Sequence, residues 1–201
     1  GSLALEIGCS SGFMMDAFRE HGLKTIGIEL SGAFGSYLRE NGHEFFTSLE
    51  GLRNAKPNIK FDLITHFFVL EHIADTRSFL EEQLALLDDD GIIIAEVPCV
   101  NDPLTSLYKI PEFEKFYWSI AHHYYFSPKS ISSILDCIKC NYRVVPEQRY
   151  DLSNHLRWLE TGKPGGQGYY SDIFSAETIE SYRSDLIHER KYDTMFLYIW
   201  K

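Results

Sequence analysis

The sequence predicts an α/β domain built around a largely parallel, doubly wound sheet, and three observations carry that prediction. Short apolar runs of strand length, LALEI (3–7), TIGIEL (25–30), FDLITHFFVL (61–70) and IIIAEV (92–97), alternate with stretches of helical periodicity. The first run leads straight into a glycine-rich turn, GCSSG (8–12), the kind of junction at which a strand passes into a helix in a βαβ unit. The chain has 201 residues, 44% of them apolar and 24% charged, a composition ordinary for one soluble globular domain with a full core.

Taken in order, LALEI is apolar but for Glu6, as a strand covered on both faces should be. A helix follows from about Gly12 to His21, where Gly22 can stop it. TIGIEL is the second strand, and GAFGSYLREN the second helical stretch, ending around Gly42. HEFF (43–46) is a short third strand and FDLITHFFVL a buried fourth. Asp75 can cap a helix whose inner face carries Leu80, Leu84 and Leu87, and Gly91 separates it from the fifth strand, IIIAEV. After Pro98 the alternation lapses into an aromatic segment, residues 101–126, with Tyr108, Phe113, Phe116, Tyr117, Trp118, Tyr124, Tyr125 and Phe126. Ser127-Pro128 is a helix start, and Ile131, Ile134, Leu135 and Ile138 recur at i, i+3, i+4, i+7. YRVVPEQRY (142–150) reads as a strand, NHLRWLETGKPGGQG (154–168) as a short helix running into a Gly/Pro loop, and 175–191 as a helix before the last strand, TMFLYIW (194–200). Gly1-Ser2 reads as a cloning remnant, so further natural chain is expected ahead of Leu3.

Charge and composition exclude several function classes. The formal net charge is −10 and no Lys/Arg cluster occurs, whereas nucleic-acid binding needs a basic footprint. No apolar run has membrane-span length and no leader pattern is present, so a cytoplasmic protein is expected. The four cysteines, Cys9, Cys99, Cys137 and Cys140, do not form a disulfide framework, and the Cys137-x-x-Cys140 pair lacks the second pair of ligands a zinc site needs. No spacing of His, Cys, Asp or Glu points to a metal.

The chemistry turns on EIGCSSGF (6–13). GCSSG fits the G-x-S-x-G elbow of serine hydrolases, with Ser10 as nucleophile. That elbow follows a central strand and borrows an oxyanion donor from an earlier loop, yet only seven residues precede Gly8. A cofactor turn predicts more. In a doubly wound sheet the ligand sits beyond the carboxyl ends of the strands, beside strand one. It needs a small-residue turn there and a carboxylate at the end of strand two to grip ribose hydroxyls. Gly8, Ser10 and Gly12 supply the turn and Glu29 the carboxylate. A dinucleotide fingerprint would need glycine where this chain has Ser10 and Phe13, so a pyrophosphate cradle is not indicated.

E-x-G-x-S-x-G-F instead resembles motif I of the class I S-adenosylmethionine-dependent methyltransferases, with serine at the middle glycine. The similarity continues through FDLITHFFVLEHIAD (61–75), FLEEQLALLDDDGIIIAEVP (79–98) and AHHYYFSPKSISSIL (121–135), the last resembling an H-x-x-Y-F-S segment of sugar and small-molecule methyltransferases. The tail, QRYDLSNHLRWLETGKPGG (148–166), looks like that of methyltransferases of bacterial glycan synthesis.

The resemblance implies a Rossmann-like sheet of seven strands, mostly parallel with the last antiparallel, in one domain. Residues 1–100 would hold S-adenosylmethionine and residues 101–201 the acceptor. It places Glu6, Gly8, Cys9, Ser10, Gly12 and Phe13 at the methionine part of the cofactor, Glu29 and Leu30 at the ribose, Ser48 and Leu49 at the adenine, and His66, Phe67 and Phe68 beside the sulfonium and its methyl. An acceptor hydroxyl needs a base, for which histidine suits neutral pH. His122, in the H-x-x-Y-F-S position, is the first candidate and His72 the second, with His123 adjacent. His155, Arg157, Trp158 and Lys163 are candidates for touching the acceptor, and the aromatic segment is either a stacking wall or a hydrophobic cover. The expected acceptor is a small molecule, a sugar or glycan-intermediate hydroxyl, nucleotide-sugars included. Alternatives are a quinone-like or aromatic acceptor, or a non-catalytic cofactor-binding partner domain.

Overall fold

The computed structural model describes residues 1–201. It contains one seven-stranded sheet of order β3-β2-β1-β4-β5-β7-β6. The strands are β1 (Leu3–Ile7), β2 (Lys24–Ile28), β3 (Phe45–Phe46), β4 (Phe61–Phe67), β5 (Leu87–Pro98), β6 (Asn141–Glu147) and β7 (Thr194–Trp200). All neighbours from β3 to β5 pair in parallel, and β7 runs antiparallel to both β5 and β6. The expected architecture is therefore the observed one. Strand order reverses beside β1, whose two neighbours are β2 and β4, and this opens a crevice at the carboxyl ends of the strands.

Helices α1 (Phe13–Glu20), α2 (Gly32–Glu40), α3 (Leu49–Ala55) and α4 (Thr76–Leu86) follow the first four strands. Ser31, Ser48 and Asp75 cap the last three by accepting from Ala33, Gly51 and Ser78 backbone N–H groups. The main core gathers Leu5, Ile64, Ile93 and Leu197 from four strands with Leu80 of α4 and Leu52 of α3, all fully buried. Each such side chain contributes about 1.5–3 kcal/mol by leaving water.

Two local differences from the sequence expectation have physical reasons. Helix α3 was not predicted, because LEGLRNA is too short for a periodic signal; the Ser48 cap is what starts it. Strand β5 begins at Leu87, ahead of the predicted Ile92. Asp88, Asp89 and Asp90 are exposed there, and a register shift lies opposite Phe61 and Leu63. At Gly91 a Cβ would lie 2.8 Å from the Phe61 carbonyl oxygen, so only glycine lets the irregular strand close against β4.

The aromatic segment is not continuous coil. It holds α5 (Pro103–Ser106) and α6 (Pro111–Tyr117), and α7 (Pro128–Ile138) follows with a complete capping box at Ser127 and Ser130. Leu104, Ile110 and Phe113 join Trp158 of α8 (Leu152–Thr161) in a small second core, flanked by Tyr108 and Tyr117. Helix α9 (Ala176–His188) precedes β7. No helix is long and apolar enough to cross a membrane.

Candidate active site

The turn after β1 is built from left-handed backbone. Gly8, Ser10 and Gly12 have φ of 77°, 49° and 81°. A Cβ on Gly8 would meet Val69 Cγ2 at 2.7 Å and one on Gly12 would meet His43 Nε2 at 2.8 Å, so backbone there fits where no side chain does. Ser10 adopts the conformation without being glycine, which costs about 1–2 kcal/mol. Its N–H explains how the position is held: it donates to Glu29 Oε2 at 2.7 Å, while Ser31 N–H donates to Glu29 Oε1 at 2.7 Å. One carboxylate at the end of β2 thus ties together the turn after β1 and the start of α2. Each of its oxygens keeps acceptor capacity for a further donor.

Beside this turn lies a groove of about 440 Å³. Gly8, Glu29, Leu30, Ser48 and Leu49 of the sequence-predicted set line it, with the strand ends Ile7 and Ile28 and with Val69, Ile73, Phe79, Glu50 and Glu82. Glu6 lies within the sheet, 7% exposed, with Oε2 lacking any partner; burial pushes its pKa up to about 7. Cys9 belongs to the turn only through its backbone. Its thiol is buried against Gly27 and Met15, and burial with the charges of Glu6 and Glu29 pushes it up to about 12. Phe13 stands 80% exposed at the start of α1.

A second cavity, of about 450 Å³, opens on the far side of residues 68–73. Those six residues form a partition. Val69 and Ile73 face the groove, while Phe68, Glu71 and His72 face the cavity. Phe68 has φ of 56°, a strained value for a bulky residue, and its ring is covered by the Arg149 guanidinium at 4.8 Å. Arg149 also pairs with Glu96, Nε to Oε1 at 3.7 Å. The rest of the wall comes from the second half of the chain: Phe113, Phe116, Tyr117 and Trp158 supply rings, and Asp102, Asn154, Asp193 and Thr194 supply polar groups.

His72 and His122 meet in this cavity, ring centroids 4.6 Å apart and nearly perpendicular. Burial and the charge of His72 hold His122 below the ordinary histidine range. Glu71, 1% exposed with Oε2 unpartnered, stands with them; burial pushes it up to about 7. Other predicted positions lie elsewhere. His66 is fully enclosed against Phe79 and reaches neither cavity, so burial drives its pKa down to about 3. Phe67, the last residue of β4, lines neither cavity. His123 contributes a backbone N–H to the Glu71 carbonyl. His155 is buried under Tyr182, to whose hydroxyl its Nδ1 is bonded. Arg157 stacks on Tyr169 and pairs with Glu160, away from the cavity, and Lys163 does not line it, while Trp158 does. Sequence reasoning passed over Glu71, although it is the middle residue of the Leu70-Glu71-His72 triplet, and over Arg149, which had no local motif to mark it.

A family described as a methyltransferase domain matches residues 2–147, most of the chain. The chain belongs to that family. With the sheet order above, this places it in the class I S-adenosylmethionine-dependent methyltransferase superfamily. Among curated relatives, the ubiquinone biosynthesis O-methyltransferase of Haemophilus ducreyi is 31% identical over 103 residues, covering 46% of this chain and 44% of that protein. The protein of the same name from Methylococcus capsulatus is 29% identical over 100 residues, 46% of this chain and 42% of that one. The matches therefore span less than half the length of these relatives. Of solved structures, a SAM-dependent methyltransferase from Archaeoglobus fulgidus superposes with a TM-score of 0.64 at 18% identity, covering 100% of this chain and 86% of that one. The plantazolicin methyltransferase BpumL, in complex with a triazolic desmethylPZN analog and SAH, gives 0.65 at 14% identity, covering 100% and 76%. These likenesses concern the fold.

Proposed function

We propose that this chain transfers the methyl group of S-adenosylmethionine to a hydroxyl of a small, ring-shaped, hydroxyl-rich acceptor of the sugar class. The observation that carries the reading is the partition at residues 68–73, which sets a cofactor-sized groove and an aromatic-walled cavity back to back.

The groove fits the cofactor by its chemistry. Glu29 retains acceptor sites for a ribose diol, and Gly8, Leu30, Ser48 and Leu49 line the groove around it. S-adenosylmethionine, when bound, supplies an electrophilic methyl group. What the chain's own residues supply is alignment and proton handling, and alignment alone removes much of the barrier to an in-line displacement.

The cavity supports a hydroxyl-rich acceptor because its buried acceptor atoms lack donors. Glu71 Oε2, Asn154 Oδ1 and Thr194 Oγ1 are unpartnered, and all three residues line it. Buried polar atoms without partners are rare in a finished structure, and a ligand's hydroxyls would satisfy them. Phe113, Phe116 and Trp158 offer faces for the C–H side of a ring. The Glu71–His72–His122 cluster stands where the hydroxyl must give up its proton. On this reading residues up to Glu82 hold the cofactor, and residues from Pro98 onward, with the partition, hold the acceptor.

A phenolic or quinol acceptor is the second reading, favoured by the ring-rich wall and by the similarity to ubiquinone biosynthesis O-methyltransferases. Tritium transfer from labelled S-adenosylmethionine to a panel of nucleotide-sugars, free sugars and catechols separates the two. Label in the sugar fraction supports the first reading, and label only in catechols replaces it with the second.

A further inference from the structure

We propose that Glu71, His72 and His122 form a binding site for one divalent transition-metal ion of the zinc type. The site deepens the reading above, since it lies in the acceptor cavity, but metal binding itself does not depend on what the acceptor is.

The observations are geometric. One ligand atom from each of the three residues lies within 4.8 Å of the others, and no other group of three such residues in the chain does this. Atoms sharing one zinc ion at 2.0–2.1 Å stand roughly 3.3 Å apart in a tetrahedron, so small side-chain rotations close the set. Glu71 is the stronger argument. It is 1% exposed, its Oε2 has no partner, it lines the cavity, and one of its carboxylate oxygens lies within 4.8 Å of both imidazoles, so a buried acceptor stands at the cluster with nothing to receive. His122 Nδ1 is likewise without a partner. His72 is already set as a ligand would be. Its Nδ1 lies 2.9 Å from the Ala121 carbonyl, an acceptor-only group, so Nδ1 carries the proton and Nε2 keeps its lone pair.

Two histidines and one carboxylate form the protein half of many catalytic zinc sites, which leave a fourth position open. All three residues line the cavity, so an acceptor hydroxyl oxygen could take that position. A cation held there would lower the pKa of the bound O–H, the proton passing to water and the electron pair remaining on the acceptor oxygen. It would thereby take over the role that an imidazole base fills in its absence. The sequence hides this site because Glu71-His72 and His122 come from segments about fifty residues apart, with no ligand spacing to mark them.

The test uses the purified chain with Cys137 replaced (Cys137→Ser), so that the exposed thiol does not compete. Co2+ and then Zn2+ are titrated in, with visible absorption and calorimetry as readouts and neither cofactor nor acceptor present. The expected result is one equivalent bound, a cobalt spectrum without thiolate charge transfer, and affinity at least tenfold weaker in both Glu71→Gln and His122→Ala. S-adenosylhomocysteine binding by each variant certifies its fold, and it also separates failure of this site from failure of the cofactor reading. No stoichiometric binding overturns the proposal, and so does binding that both variants retain.

Discussion

Replacing Glu6 with glutamine should make the protein more stable at neutral and alkaline pH while leaving it nearly unchanged in acid. Glu6 is enclosed in β1, and burial raises its carboxyl from the usual 4.5 to about 7. Below pH 4.5 folded and unfolded chains both carry the protonated side chain, and the group costs nothing. Between 4.5 and 7 the unfolded chain ionises while the folded one stays protonated, so stability falls as pH rises. Above about pH 7 the folded chain ionises too, and the loss levels off. At about 1.4 kcal/mol per pH unit over this span, the whole effect is about 3 kcal/mol. Other buried carboxyls, Glu71 and Asp102 near 7 and Asp193 near 6, act in the same direction, so the wild-type profile alone is uninformative. The informative quantity is the difference in unfolding free energy between Glu6→Gln and the wild type, from urea midpoints at pH 4.5, 6 and 8. It should grow by about 3 kcal/mol across that range. A difference that stays flat with pH would refute the reasoning, because it would mean that Glu6 titrates alike in the folded and unfolded chains.

Three further outcomes follow from the same geometry. Gly8→Ala forces a Cβ against Val69 Cγ2 at 2.7 Å in a left-handed backbone, and calorimetry should show S-adenosylhomocysteine affinity reduced at least tenfold while circular dichroism shows a folded chain. Ser10→Gly relieves a left-handed residue worth about 1–2 kcal/mol against about 0.5–1 kcal/mol of added unfolded-state freedom, so thermal unfolding should shift up by roughly 2–3 °C. Asp193→Ala removes the carboxylate that accepts from Arg149 N–H, Tyr150 N–H and Gln148 Nε2; the stranded donors should cost about 3 kcal/mol in chemical denaturation.

The sheet was legible because its evidence is local. Apolar strands such as LALEI and IIIAEV announce themselves within a few residues, and Asp75 and Ser127 announce the helices they cap. The turn at Gly8–Gly12 and its partner Glu29 were legible for a related reason, since a parallel sheet fixes where the loop after its first strand and the end of its second must meet. The aromatic-walled cavity was not. His72 and His122 were named singly, but only the fold brings them together with Glu71, and only the fold brings Arg149 over Phe68. His66 shows the converse. At the end of β4 its side chain turns into the core against Phe79, while Phe68, one residue past the strand, adopts the left-handed backbone and lines the cavity.

The most direct test of the central claim is calorimetric titration of S-adenosylhomocysteine into the wild-type chain and into Glu29→Ala. The account predicts one site of micromolar affinity in the wild type, weakened at least tenfold when the carboxylate that joins the two loops is removed. A folded wild-type chain that takes up none, or a variant that binds equally well, would contradict it.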